Sequence, residues 1–218
     1  MLSDLMDGSG LRSVSLVEYL WAGGPVMVPI ALCSIVALAT FLERLWSLRR
    51  GRVIPESFCV EVVELVRQER WNDAMTLCRK RQVAIARIAE VALEYRVLTR
   101  SDLKVRIEEV GRREAAEMER NVPILGTIAA VSPLLGLLGT VGGMILTFQV
   151  IQDQGLGNVG NLAGGISQAL ITTFAGLSVG IPALVANRYV LSRVDSLLLE
   201  LEEVALDVVD LLVGEEPK

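Results

Sequence analysis

Three long apolar runs without Asp, Glu, Lys or Arg are the feature that most constrains this chain. They cover about residues 24–42, 123–151 and 162–187, and a strongly charged segment separates the first from the second. A helix rises ~1.5 Å per residue, so each run is long enough to cross a hydrocarbon core of ~30 Å. The pattern predicts an all-α membrane protein with three transmembrane helices and long cytoplasmic helical extensions.

The composition argues against several other classes of protein. A net charge of −5 leaves no surplus of basic residues for binding nucleic acid. The chain has no histidine, which removes the commonest metal ligand and the usual general base near neutral pH. Cys33, Cys59 and Cys78 are widely spaced and form neither a disulfide framework nor a metal-binding pair. We therefore predict no catalytic residue, no metal and no cofactor, and we do not expect an enzyme.

The basic residues predict the orientation of the chain. Most Lys and Arg lie between Trp46 and Asn121, and Arg188 follows the third run, whereas the 152–161 segment has none. Because basic loops stay in the cytoplasm, the N-terminus and this segment are expected outside. The first ten residues contain no basic residue, so we expect no cleavable signal peptide. The expected divisions are a periplasmic N-terminus (1–23), transmembrane helix 1 (24–45), a cytoplasmic helical domain (46–122), transmembrane helix 2 (123–151), a periplasmic loop (152–161), transmembrane helix 3 (162–187) and a cytoplasmic C-terminal helix and tail (188–218).

The charged segments also have the pattern of helices. One or two helices are expected within residues 74–97, and Thr99 or Ser101 can cap the next one. No helix breaker follows until Pro123, which predicts a rod of about 50 residues that runs into the second span. The amphipathic segment 189–213 is expected to continue the third span inward.

Small residues recur at alternating steps of three and four in the second and third runs. In the second run they are Gly126, Ala129, Pro133, Gly136, Thr140, Gly143 and Thr147. In the third run they are Ala169, Thr173, Gly176, Gly180, Ala183 and Asn187. Large apolar residues, such as Leu138 and Phe174, form a separate stripe on each helix. Since small residues allow close approach of helices in lipid, we expect both small faces to contact other helices. The long continuous helices cannot bury their apolar faces alone, which implies a partner protein or self-assembly into a homo-oligomer.

Thr140 and Thr173 lie at a similar depth on these stripes, about 11 or 12 residues from the 152–161 loop. One interpretation is that each hydroxyl bonds only to a carbonyl of its own helix. The other, which the matched depth favours, is that the pair lines a shared polar lumen. Hydroxyls do not exchange protons in the pH range of a cell, and neither run contains a carboxylate or imidazole. Any proton carrier at this depth is therefore expected to come from another polypeptide.

Two segments resemble signatures of a known family. Residues 133–148, PLLGLLGTVGGMILTF, resemble the second-span signature of the MotA/TolQ/ExbB proton-channel family. Residues 165–185, GISQALITTFAGLSVGIPALV, resemble its third-span signature. The likeness covers about residues 20–212, and three spans are typical of the ExbB/TolQ type rather than of the four-span MotA type.

The resemblance implies a homopentamer in the bacterial inner membrane, surrounded by lipid, whose second and third spans line a central pore. It further implies an ExbD/TolR-like single-span partner that supplies a transmembrane Asp, and a TonB/TolA-like protein that receives the work. Ion flow would then drive a motor that transfers energy to the periplasm or outer membrane. The residues expected along the pore are Gly136, Thr140, Gly143, Thr147, Thr173 and Gly176. Those expected in helix packing or the lumen are Pro133, Gly139, Gln168, Gly180 and Pro182.

Gln168 departs from the resemblance, because well-known ExbB and TolQ members have Glu at this position. Gln forms hydrogen bonds but holds no exchangeable charge, so helix packing is favoured over a lumen contact here. Two alternatives to the energy-transducing subunit stay open. One is a non-conducting scaffold that gathers partner helices, and the other is a gliding-motility motor subunit of the same family.

Overall fold

A computed structural model describes residues 22–155 and 159–213 of the chain. Its helices, in chain order, are α1 (Met27–Ser47), α2 (Arg50–Val53), α3 (Glu56–Arg67), α4 (Trp71–Lys80), α5 (Ala84–Glu94), α6 (Arg100–Glu119), α7 (Val122–Gln154) and α8 (Val159–Val213). Most of the predicted periplasmic N-terminus lies outside the described residues, as do residues 156–158 of the predicted loop and 214–218 of the predicted tail.

The described residues form helices and turns but no strand, which confirms the all-α prediction. Three of the helices contain a segment long and apolar enough to cross a membrane: Met27–Ser47, Val122–Asp153 and Leu162–Leu212. At most 28% of their most apolar windows is buried inside the chain. Apolar helices that stay this exposed need lipid or other helices around them, so the prediction of three membrane-spanning helices is confirmed.

The predicted continuous rod between the charged segment and the second span is wrong. Helix α6 ends at Glu119 and α7 begins at Val122, with a two-residue turn between them. Pro123 explains the break, because it has no N–H for the Glu119 carbonyl and its ring crowds the preceding turn. Helix α8, in contrast, continues for 55 residues. The predicted continuation of the third span into the amphipathic segment 189–213 is therefore confirmed, whereas its cytoplasmic location stays a prediction.

The chain divides into two compact units. The apolar unit contains the described residues up to Ala39 together with Ile124–Ala186. The charged unit contains Thr40–Pro123 and the described residues from Asn187 onward. Helices α1 and α8 contribute to both units, because the apolar half of each belongs to one unit and the charged half to the other.

Amphipathic helices build the core of the charged unit. Helices α4 and α5 occupy the segment where the sequence predicts one or two helices. Thr99 caps α6, because its Oγ1 accepts a hydrogen bond from the Asp102 N–H at 3.3 Å. The core side chains that are at most 2% exposed include Phe58, Val62, Ile85, Ile88, Leu93, Leu103, Val194, Leu197 and Leu201. Burying a side chain of this size stabilises the fold by ~1.5–3 kcal/mol, so the last half of α8 is an integral part of this core.

A partly buried ion pair joins α5 to α6 in the charged unit. Glu114 is 5% exposed and accepts two hydrogen bonds from the guanidinium of Arg87. Those hydrogen bonds raise the pKa of Arg87 above its ordinary value, so the guanidinium stays charged at any physiological pH. Glu117 lies 3.4 Å from the same guanidinium but is mostly exposed.

Candidate functional site

Helices α7 and α8 of the apolar unit meet at positions that leave no room for a side chain. A Cβ on Gly143 would lie 2.7 Å from the Gly165 carbonyl oxygen, and one on Gly176 would lie 2.5 Å from the Ser132 carbonyl oxygen. A Cβ on Gly136 would lie 3.0 Å from the Thr172 carbonyl oxygen in the backbone of α8. Since real Cβ atoms essentially never come closer than 3.0 Å, the two backbones are in direct contact. This confirms that small residues of both helices face another helix.

Pro133 and Gly180 form a second close contact between the same helices. A Cβ on Gly180 would lie 2.7 Å from Cγ of Pro133 and 3.3 Å from the Ala129 carbonyl oxygen. Pro133 has no N–H to donate to the Ala129 carbonyl, and its ring projects from α7 toward Gly180 on α8. Glycine at position 180 leaves room on α8 for the ring of Pro133. Pro182, only two residues further, lies on an exposed face of α8.

Thr172 is central to the interface but is not among the predicted site residues. It is fully buried, and its side chain lies so close to Gly139 that a Cβ there would collide with it. Its hydroxyl donates to backbone carbonyls of its own helix, at 3.0 Å to Gln168 and 2.9 Å to Ala169. Thr172 therefore fills the space opposite a glycine and has no polar group to offer beyond α8.

The buried face of α7 differs from the predicted stripe at two points. Its buried residues between 132 and 147 are Ser132, Gly136, Gly139, Gly143 and Thr147. Their steps of 4, 3, 4 and 4 follow the ~3.6 residues per turn of a straight helix, whereas strict alternation of three and four averages 3.5. Ser132 is buried in the position that was predicted for Pro133, and Gly139 is buried in the position that was predicted for Thr140. The sequence contains a signal for this face, because Ser132 and Gly139 are small and each is adjacent to a residue of the predicted stripe.

Two of the threonines expected along the pore differ in exposure. Thr147 is buried, and its hydroxyl donates to the Gly143 carbonyl at 2.9 Å. Thr140 is partly exposed, and its hydroxyl donates to the Leu137 carbonyl at 2.6 Å. Both hydroxyls bond their own helix, but only that of Thr140 lies where a helix from outside the chain can reach it.

Thr173 bridges the two helices at the edge of their interface. Its Oγ1 lies 3.2 Å from the Ala169 carbonyl on its own helix and 3.3 Å from the Gly136 carbonyl on α7. The residue is partly exposed, unlike its fully buried neighbour Thr172. The structure thus places Gly136, Gly143, Thr147 and Gly176 inside the α7–α8 interface, and Thr140 and Thr173 at its margins.

The large apolar residues of both helices face away from this interface. On α7 the exposed fractions lie between 51% and 63% for Leu134, Leu138, Val141, Ile145 and Phe148. On α8, Leu170 and Phe174 are 65% and 74% exposed. The division of each helix into a small face and a large apolar face is therefore confirmed within the chain.

Comparisons with known proteins point to one family. The sequence model of the MotA/TolQ/ExbB proton channel family matches residues 80–203, more than half of the chain. Biopolymer transport protein ExbB-like 1 of Synechocystis sp. is 35% identical over 180 residues, which cover 81% of this chain and 71% of that protein. The chain belongs to the MotA/TolQ/ExbB proton channel family.

Within the MotA/TolQ/ExbB family, the relatives indicate the ExbB/TolQ type, as predicted. The Tol-Pal system protein TolQ of Haemophilus influenzae is 39% identical over 85 residues, 39% of this chain and 37% of that protein. The biopolymer transport protein ExbB of Aquifex aeolicus is 35% identical over 88 residues, 40% of this chain and 60% of that protein. Together with three apolar helices of spanning length, this membership identifies a multi-pass membrane protein.

In this MotA/TolQ/ExbB-family chain, Gln168 contacts the residues that precede α1. Its Nε2 lies where a Cβ on Gly24 would stand, so the two residues are in close contact. Gly24 also has a φ of +71°, in the left-handed region that favours glycine. The contact fits a neutral amide that packs two elements of the apolar unit together.

The interface offers hydroxyls and carbonyls but no titratable group. Residues 124–151 and 162–186 contain no Asp, Glu, Lys, Arg or His. The described part of the chain also has no group of three or more His, Cys, Asp or Glu side chains that could hold a metal ion. These two helices of the MotA/TolQ/ExbB-family chain can build a rigid, mildly polar wall, but their own side chains cannot carry protons across it.

Proposed function

We propose that this chain is the channel-forming subunit of an ion-driven motor of the ExbB/TolQ type in the bacterial inner membrane. The observation that carries the proposal is the close α7–α8 contact at glycines, which buries Thr172 and leaves Thr140 and Thr173 at the margins. Two helices in backbone contact form a stiff wall with hydroxyls along its edges. Such a wall suits a polar lumen around a mobile helix that bears a charge.

The carrier of the proton is supplied by a partner protein. A carboxylate at mid-membrane is costly unless polar groups surround it, and the hydroxyls of Thr140 and Thr173 can provide those groups. We assign the carboxylate to an Asp of an ExbD/TolR-like single-span protein. A TonB/TolA-like protein then receives the movement on the periplasmic side.

Five copies of the chain surround that partner in our proposal. The large apolar side chains on α7 and α8 remain exposed in the single chain and need lipid or neighbouring copies to cover them. The arginines at positions 49, 50 and 52 and at 188 and 193 support our proposal that the charged unit lies in the cytoplasm and residues 152–161 on the periplasmic side.

The test is proton transport by the purified chain together with its single-span partner in liposomes. Under an imposed potassium diffusion potential, we expect a pH-sensitive dye inside the liposomes to report proton entry. Replacing the transmembrane Asp of the partner with Asn should abolish the signal. A complex that assembles but moves no protons would instead support a non-conducting scaffold. Native mass spectrometry of the detergent-purified protein should show five copies of the chain.

A further inference from the structure

A cationic cavity lies within the charged unit, beside the last turn of α1. Its volume is about 510 Å³, and its walls come from residues 44–49 and from the segment of α8 around Tyr189. Three of the residues that line it are arginines, namely Arg44, Arg49 and Arg193. None of its lining residues within the described chain is Asp or Glu. The cavity therefore has a surplus of positive charge.

Of the three arginines in the cavity, Arg44 is held in place by burial and hydrogen bonds. It is 5% exposed, and its Nη1 donates to the Met118 carbonyl at 3.1 Å. Its Nε and Nη2 each lie 2.6 Å from a carboxylate oxygen of Glu43, which offsets its charge. Arg49 and Arg193 form no ion pair with any described residue. The uncompensated charge of the cavity is thus about two positive charges, on Arg49 and Arg193.

A neighbouring cavity on another side of Arg44 does not have this surplus of positive charge. That second cavity has a volume of about 480 Å³ and shares Arg44 and Leu48 with the first. Its charged lining residues are Glu43, Arg44, Arg52, Arg87, Glu114, Glu117 and Arg120. Four arginines therefore face three glutamates there, so the second cavity is nearly balanced in charge.

The remaining walls of the cationic cavity suit an amphipathic ligand. Leu45, Leu48 and Val190 supply an apolar surface next to the arginines. Tyr189 is 52% exposed and packs the edge of its ring against Phe41 at 6.3 Å between ring centroids. Tyrosines with an apolar ring and a polar hydroxyl prefer the boundary between lipid and water. The combination places bare guanidinium groups and apolar side chains side by side at the end of a spanning helix.

We propose that this cavity binds the phosphodiester headgroup of an anionic phospholipid. Arg49 and Arg193 contact the phosphate oxygens, and Leu45 and Val190 contact the first methylene groups of an acyl chain. The inference rests on the proposed orientation, which puts the end of α1 at the cytoplasmic membrane surface. The bound lipid ties α1 to α8 next to Arg44, within the charged unit.

The test measures lipid retained by the detergent-purified full chain. The protein is incubated with equal amounts of phosphatidylglycerol and phosphatidylcholine, and native mass spectrometry counts each bound lipid. We expect the natural chain to retain phosphatidylglycerol in preference to phosphatidylcholine. The double variant Arg49→Gln/Arg193→Gln should lower phosphatidylglycerol binding about twenty-five-fold, since each arginine near an anionic surface contributes about five-fold. Arg49→Lys/Arg193→Lys should retain most of the binding, because the charge is kept.

The control variant Arg112→Gln/Arg113→Gln removes the same charge from two exposed residues of α6 outside the cavity. Equal losses in both double variants would overturn the proposal, since they would show attraction to net charge alone. Displacement of the lipid by millimolar inorganic phosphate would overturn it too, in favour of a site for free anions. If the glutamine pair fails to fold by circular dichroism, the comparison of the lysine pair with the single variant Arg193→Gln decides instead. Lipid retention is independent of proton flux, so it can fail while the proposed channel function holds.

Discussion

Gly143 and Gly165 hold α7 and α8 in backbone contact, because a Cβ on Gly143 would lie 2.7 Å from the Gly165 carbonyl oxygen. Replacing Gly143 with Ala must therefore push the helices apart, and overpacking of this kind costs ~1–3 kcal/mol. We expect Gly143→Ala to lower the thermal midpoint of the detergent-purified protein and to reduce proton flux.

Gly142 provides the matched control for this variant. It precedes Gly143 in the same helix, and a Cβ there would meet no atom within 4 Å. Gly142→Ala adds the same methyl group and favours the helix by up to ~1 kcal/mol, so the midpoint should stay level or rise. Equal destabilisation by both variants would show that the backbone contact is not what matters.

Thr140 and Thr173 should support proton flux through their hydroxyls. Valine matches threonine in shape, so Thr140→Val/Thr173→Val should keep the oligomer intact while lowering flux about ten-fold, since one hydrogen bond contributes ~0.5–1.5 kcal/mol. The measurement is the liposome assay with the partner present. Thr172→Val is the control, because that hydroxyl is buried and bonds only its own helix. Unchanged flux in the double variant would remove the two threonines from the ion pathway.

Glu114 should stabilise the charged unit far more than Glu117 does, although both face Arg87. The buried Glu114 accepts two hydrogen bonds, whereas Glu117 lies 3.4 Å away and its side chain is 62% exposed. Breaking a fully buried pair costs ~3–5 kcal/mol, and the partial exposure of Arg87 reduces this to ~1–3 kcal/mol. Glu114→Gln should lower the thermal midpoint, and Glu117→Gln should leave it nearly unchanged. Similar midpoints for the two variants would contradict the assignment.

Cys78 should make stability depend on alkaline pH. Burial raises the pKa of its thiol from 9.0 to about 12. Between these values the unfolded chain loses a proton that the folded chain keeps, so the free energy of unfolding falls as pH rises. Cys78→Ala removes this loss but also leaves a small cavity. The stability gap between the natural chain and Cys78→Ala should therefore shrink from pH 8 to pH 10.5 in thermal melts. A constant gap would show that the thiol ionises equally in both states.

The three spans and the helical class follow from the sequence because membrane thickness sets the length of an apolar run, which is a local property. The two faces of α7 and α8 follow for a similar reason, since Gly136 and Leu138 differ in size whatever packs around them. The break before α7 was predictable in principle from Pro123, but Glu119 and Arg120 before it are ordinary helix residues and give no other stop signal. The local pattern therefore missed the break between α6 and α7.

The tertiary structure decided which of two adjacent small residues faces the neighbouring helix. Successive residues differ by only ~100° around a helix axis, so Thr172 and Thr173 are equally plausible until the approach of α7 is known. The same holds for the cavity at Arg44, which joins residues more than 140 positions apart. The sequence by itself determined three membrane helices, each of the last two with a small and a large face. Only packing determined that Thr172 is buried while Thr140 and Thr173 stay at the margin, because the direction of contact depends on both helices together.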